Sequence, residues 1–184
     1  MKILDRTGDQ YKIIKHERDY AENLCIVGVE PYEKCGFRCF YCITDSQGKT
    51  RPIEPNLASF QKRFLAELAD FESDRYLFGV SLATDSYNDI EEEWGYTRWV
   101  IEELTRRNRR YSITTKSPLV TRDIDLFQQM APDRYKVIIS FTASTTELAN
   151  AVEPQAPSPE SRMEALHTLH NAGVNACVLM APWI

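Results

Sequence analysis

What most constrains this chain is an alternation. From residue 24 onward, short apolar runs of strand character are separated by segments of helical spacing. LCIVGV (24–29) is apolar and β-branched. After Asn56, Phe60, Phe64, Leu68 and Phe71 recur at helical spacing. YLFGVSL (76–82) reads as a second strand. TRWVIEELTRRN (97–108) reads as a helix with Trp99, Val100 and Leu104 on one side and Asn108 as its stop. YSITT (111–115), a short helix in RDIDLFQQM (122–130) and KVIISF (136–141) follow. Ser158 and Pro159 then open a helix that Gly173 ends, before VNACVLMA (174–181). Strand–helix order of this kind predicts parallel strands joined by right-handed crossovers. Closure as an open doubly wound sheet or as a (β/α) barrel both place function just beyond the carboxyl ends of the strands.

At 184 residues the chain suits one domain. Residues 1–23 are expected to form an N-terminal extension to a core over 24–184. The net charge of −5 argues against a general nucleic-acid coat, which needs a basic surface. No apolar run reaches membrane-spanning length, and the first twenty residues lack the apolar stretch and cleavage site of a signal peptide. The expected compartment is the cytoplasm.

Directly after the first strand comes EPYEKCGFRCFYC, with Cys35, Cys39 and Cys42 spaced Cys-x3-Cys-x2-Cys. Clustered thiols in a reducing compartment more often hold metal than form disulfides. Three thiolates can hold three irons of a [4Fe-4S] cluster and leave the fourth open to a small molecule. The same three could hold zinc if His16 or Cys25 supplied a fourth ligand. Spacing favours iron–sulfur and leaves zinc open. Cys25 and Cys177 lie in apolar runs and are expected to be buried strand residues.

The motif, with Tyr41 before the last cysteine, resembles that of the radical S-adenosylmethionine (radical SAM) enzymes. TDSYNDIEEEWGYTR, TTKSPLVTRDIDLF, VIISFTAS, EPQAPSPESRMEALHTLHNAGV and VLMAPWI extend the resemblance over residues 24–184, toward the spore-photoproduct-lyase-like branch often labelled DNA repair photolyases. The resemblance implies an α/β fold, a partial TIM-like (β/α) barrel of about five parallel strands and four or more helices. Since that core usually has six units, it also implies an open edge beside the fifth strand, and hence self-association, a partner or a fragment. It implies a [4Fe-4S] cluster on Cys35, Cys39 and Cys42, chelation of S-adenosylmethionine by the open iron, and reductive cleavage to methionine and a 5'-deoxyadenosyl radical that takes hydrogen from a substrate. A one-electron donor such as a flavodoxin or ferredoxin is implied as partner.

By the same resemblance, Lys116 and Ser140 occupy the positions that bind the methionine carboxylate. Many members carry Gly-Gly-Glu after the second strand for the amino group. This chain has LATDSYND, so Thr84 and Asp85 are the candidates, with a capped turn as the alternative. Tyr41 and the backbone around Met180 and Ala181 fall where the adenine is approached. Arg162 could hold the carboxylate or pair with Glu153, and the pair is favoured. His167 and His170 read as helix surface, and Glu91, Glu92 and Glu93 as a solvated helix start. True photoproduct lyases carry a hydrogen-donating cysteine after the second strand and tyrosines on both sides of the third cluster cysteine. Here those positions hold Ala83, Tyr41 and Ile43. An enzyme with another substrate is therefore expected, with DNA photoproduct repair and a non-catalytic metal-binding α/β module as the alternatives.

Overall fold

A computed structural model describes residues 12–21, 24–42, 48–143, 145–182 and 184, with the backbone alone for 15–21. The His16 side chain and Ile43 fall outside the described residues. One six-stranded sheet runs in the order β1 to β6. β2 (Leu24–Val29), β3 (Tyr76–Val80), β4 (Arg110–Thr115), β5 (Tyr135–Phe141) and β6 (Ala176–Met180) are all parallel. The expected five parallel strands are present, and the fold class is α/β.

β1 (Ile14–Ala21) was not expected as a strand. It pairs antiparallel with β2, Ile14 opposite Val29 and Ala21 opposite Leu24. Its sequence, IKHERDYA, is mostly charged and polar, a composition common at sheet edges, where charge discourages further pairing. Apolar periodicity therefore does not reveal it.

Six helices lie among the described residues: α1 (Leu57–Leu68), α2 (Glu91–Trp94), α3 (Tyr96–Arg106), α4 (Ile124–Phe127), α5 (Thr146–Val152) and α6 (Pro159–Asn171). Asn56 caps α1, its side chain accepting from the Ser59 N–H at 2.9 Å. Ser158 caps α6 in the same way, with Pro159 at the first turn. The expected 122–130 helix is shorter, because a 3-10 turn over Pro118–Asp123 takes its first residues and leaves α4 one turn long.

The core lies between the sheet and the helices. Val27, Val29, Phe78, Val80, Tyr111, Ile113, Val137 and Ile139, alternate residues of their strands, join Phe60, Phe64 and Leu68 of α1 and Val100 and Leu104 of α3 in one buried cluster. Phe60 stacks on Tyr96 with centroids 4.3 Å apart and meets Trp99 edge-on. Burying side chains of this size stabilises the fold by about 1.5–3 kcal/mol each before the entropy of ordering is subtracted.

Two expectations are corrected here. Glu91 is buried, not solvated. Its carboxylate accepts from Tyr32 Oη (2.5 Å), the N–H groups of Thr97 (2.9 Å) and Arg98 (3.0 Å), and Arg122 (2.6 Å). It thus pins α2, α3 and the turn after β4 to one point, while Glu92 and Glu93 are exposed as expected. Cys25 is buried as expected, but Cys177 is exposed, because β6 is an edge strand. Val178, Leu179 and Met180 of that strand are exposed with it. Among the described residues no helix is long and apolar enough to cross a membrane.

Candidate active site

The carboxyl ends of the parallel strands open onto a cavity of about 480 Å3. Two loops form most of its wall. The first follows β2 and supplies Cys35, Phe37, Cys39, Tyr41 and Cys42. The second follows β3 and supplies Ser81 through Asp85. Thr114, Thr115 and Lys116 reach it from β4, Ser140 from β5, and Leu179, Ala181 and Pro182 from β6. The three cysteines thus share one chamber with Tyr41, Thr84, Asp85, Lys116 and Ser140.

Backbone strain is concentrated at the same place. Three described non-glycine residues have positive φ, and two of them, Arg38 (53°) and Ser81 (70°), lie in these two loops. A left-handed residue other than glycine costs roughly 1–2 kcal/mol, so the surroundings must hold these loops in place. Gly79, just inside β3, permits a close approach. A Cβ there would sit 2.8 Å from the Leu82 side chain, which folds back over the glycine to line the cavity.

The cysteine loop is anchored on the end of α5 and the segment that follows it. The Phe40 N–H donates to the Val152 carbonyl (2.9 Å), and the Gln155 N–H to that of Phe37 (3.3 Å). Beneath lies a buried polar knot. Glu153 accepts from Arg162 (2.5 Å), from the Thr142 hydroxyl (2.6 Å) and from the Tyr41 hydroxyl. Arg162 also donates to the carbonyls of Ser140 (3.0 Å) and Pro157 (2.8 Å). Burial alone would raise the Glu153 carboxyl, but the Thr142 and Tyr41 hydroxyls and the charges of Arg162 and Lys116 hold it below its ordinary value. Arg162, named above as a candidate for the cofactor carboxylate, is engaged here and does not line the cavity.

Lys116 sits at the rim of this knot. Its Nζ lies 3.7 Å from Glu153 and 5.7 Å from the centre of the Tyr41 ring. Glu153 already has a closer cation in Arg162, so Lys116 is the one that can turn toward an anion in the cavity. Asp85 is buried and its oxygens are occupied by the Thr115 hydroxyl (2.7 Å) and the N–H groups of Lys116 (2.8 Å) and Tyr87 (3.0 Å). Burial raises its carboxyl, partly offset by these donors. The hydrogen bonds of a capped turn are thus present on a side chain that also lines the cavity.

Glu30 has no place in the sequence-based site. It closes β2, is buried, and accepts from the Ala83 N–H (2.6 Å), the Thr84 N–H (3.1 Å) and the Thr84 hydroxyl (2.5 Å). A lone glutamate before a proline at a strand end gives no signal of this role. The Met180 side chain is exposed and lines a separate apolar groove with Phe141, Ala143, Pro159, Glu160, Met163 and Val178, while its neighbours Leu179 and Ala181 face the main cavity. Strand alternation accounts for the split. His167 and His170 are exposed, as expected.

The donor set fits an iron–sulfur cluster. The five cysteines are all thiols, and three of them line the cavity. Burial pushes the Cys35 thiol up to about 11, with the nearby Asp85 adding to it, and burial also raises Cys39. Such thiols stay protonated until a cation replaces the proton, so metal loading would release protons. Among the described residues, no group of three His, Cys, Asp or Glu side chains converges as a ready-made single-ion site.

The family model of the Radical SAM superfamily matches residues 29–182, and the chain belongs to that superfamily. An uncharacterized protein of Methanocaldococcus jannaschii is 28% identical over 163 residues, covering 85% of this chain and 60% of that relative. One from Mycobacterium tuberculosis is 25% identical over 167 residues, covering 84% and 48%. Spore photoproduct lyase complexed with dinucleoside spore photoproduct superposes with a TM-score of 0.71 at 18% identity, covering 92% of this chain and 48% of that one. Native anSMEcpe with bound AdoMet gives 0.57 at 12% identity, covering 84% and 43%. The fold is thus shared with these enzymes, and the chain spans only 48–60% of the two curated relatives described.

Proposed function

We propose that the chain holds a [4Fe-4S] cluster on Cys35, Cys39 and Cys42 and binds S-adenosylmethionine beside it. When bound, the cluster supplies the electron that splits the sulfonium into methionine and a 5'-deoxyadenosyl radical, which abstracts hydrogen from a substrate. The observation carrying this reading is that the three thiols, Lys116 and Ser140 line one cavity at the carboxyl ends of the strands. Lys116 and the Ser140 hydroxyl receive the methionine carboxylate, Tyr41 and the strand after α6 flank the adenine, and Leu82, Leu179 and Phe37 keep water from the reacting atoms. Glu153 and Arg162 hold Tyr41 and the cysteine loop in place. A flavodoxin- or ferredoxin-like carrier supplies the electron, and the site works in the cytoplasm. Anaerobic reconstitution followed by dithionite reduction and an assay for 5'-deoxyadenosine tests the reading. About four irons per chain with 5'-deoxyadenosine formed supports it, whereas one zinc and no colour ends it.

Lys116→Ala is expected to weaken S-adenosylmethionine binding by about 1.5–3 kcal/mol, the typical worth of a charge-assisted contact in a partly dry site. Iron content should stay unchanged, since the lysine is no ligand. Equal affinity of variant and parent, by equilibrium dialysis, would remove Lys116 from the site.

The substrate is proposed to be something other than thymine photoproduct. Ala83 lines the cavity where a hydrogen-donating thiol would be needed, and among the described residues no cysteine besides the proposed ligands lines it. An alanine methyl has no weak S–H bond to give. Reduced, reconstituted protein should form 5'-deoxyadenosine yet return no thymine from a photoproduct-containing oligonucleotide; stoichiometric repair would contradict this.

A further inference from the structure

The loop after β3 contributes five consecutive residues, Ser81 to Asp85, to the cavity wall. Its ends are fastened. The Ser86 N–H donates to the Ser81 hydroxyl (2.8 Å), and Asp85 is tied to Thr115 and the Lys116 N–H. Its middle, Ala83 and Thr84, is held by Glu30 through three hydrogen bonds. No cation among the described residues pairs with Glu30. Burial pushes its carboxyl up to about 7, against the pull of Thr84 and the backbone N–H donors. Fastening a loop with a buried carboxylate that lacks a countercharge is energetically unfavourable, and backbone contacts alone would hold a turn with a smaller penalty.

The choice of donors explains why a carboxylate stands there. The Thr84 hydroxyl commits its one proton to Glu30 at 2.5 Å. While Glu30 is ionised, a hydroxyl whose proton is committed to it can act toward any further partner only as an acceptor, and the negative neighbour makes its oxygen a stronger one. Asp85, the other candidate for a cationic group, is buried and accepts three donors, two on Oδ1 and one on Oδ2. Thr84, half-buried where Asp85 is buried, is the more accessible of the two side-chain acceptors. We infer that Glu30 is a positioning residue: it fixes the Ala83–Thr84 backbone and locks the Thr84 hydroxyl as an acceptor for the ammonium group of the bound cofactor. The inference rests on the proposed S-adenosylmethionine reading for the identity of that ammonium.

The test uses E30Q, T84V, T84S and the E30Q/T84V double variant of the full chain. In E30Q the amide keeps the shape but sets an N–H against a donor. Amide hydrogen exchange at Ala83 and Thr84 in the metal-free protein should rise roughly tenfold or more, while amides of β4 and β5 stay unchanged. After anaerobic reconstitution, iron per chain should match the parent. S-adenosylmethionine affinity should fall roughly ten- to a hundredfold in E30Q and in T84V, and T84S should keep it. The double variant should be no worse than the weaker single, because Glu30 acts through Thr84. Additive losses, or parental exchange and affinity in E30Q, would overturn the assignment. If the reconstituted parent itself binds no S-adenosylmethionine, the cofactor reading fails and the ammonium acceptor with it, while exchange at Ala83 and Thr84 still decides whether Glu30 holds the loop. If E30Q does not fold, T84V against T84S decides the acceptor: equal affinity in both overturns it.

Discussion

Replacing any one of Cys35, Cys39 or Cys42 with alanine is expected to give a folded protein that retains no stable cluster and cleaves no S-adenosylmethionine. In the proposed site each thiolate is the sole protein ligand of one iron, so no neighbouring residue can substitute for it. The fold should survive, because these side chains line a cavity and the loop is held by backbone bonds from Phe37 and Phe40 and by the Tyr41 hydroxyl. The controls separate metal from packing. Cys25 is buried in β2, and Cys25→Ala should cost about 1 kcal/mol with iron content unchanged. Cys177 is exposed on the edge strand, and its replacement should be close to neutral. Iron analysis, visible absorbance and 5'-deoxyadenosine formation measure all five variants. Loss of metal in Cys25→Ala together with its retention in Cys39→Ala would show the ligand set to be wrong.

Arg162→Ala is expected to destabilise the fold by about 3–5 kcal/mol, the usual cost of leaving one member of a buried ion pair without its partner. Both side chains of the Arg162–Glu153 pair are almost fully buried, so solvent screens little of the loss. The variant also abandons the carbonyls of Ser140 and Pro157. Glu153 carries the Tyr41 and Thr142 hydroxyls, so the damage should spread to the cysteine loop, and reconstituted iron should be lost faster than from the parent. Removing both charges, as in E153Q/R162M, should recover a large part of the stability, because the cost lies in the orphaned carboxylate. Urea denaturation of the metal-free protein measures the effect. A loss below about 1 kcal/mol, typical of solvated pairs, would mean that the knot is not the anchor described.

The five parallel strands are legible in the sequence because strands covered on at least one face must be apolar, and short apolar runs between helical segments have few other uses. The cysteine spacing is legible because three thiols within eight residues have few structural alternatives. Lys116 and Ser140 are singled out only by family resemblance, since a lone lysine and a lone serine at strand ends carry no signal of their own. Glu30 and Glu91 are illegible for one shared reason. A glutamate reads as solvated unless its partners are known, and these partners stand more than fifty residues away from Glu30 and, for Tyr32, fifty-nine away from Glu91. β1 escapes for the opposite cause: it is fixed by pairing with β2 and hardly by its own composition.

The ties of the cysteine loop span long stretches of chain. Tyr41 reaches Thr142 and Glu153 across 101 and 112 residues. Each strand of the sheet, by contrast, adds next to the one made just before it, so the sheet can grow in the order of synthesis. The thiols emerge early and have local ties through Arg51 and Gly48, but the Tyr41 and Phe40 ends of their loop are fastened to the segment around Glu153, a closure whose entropic cost grows with loop length. The residues that fasten the thiol cradle thus come from the last third of the described fold, between β5 and β6. A rigid socket for metal therefore needs residues a hundred or more positions away from the thiols it holds.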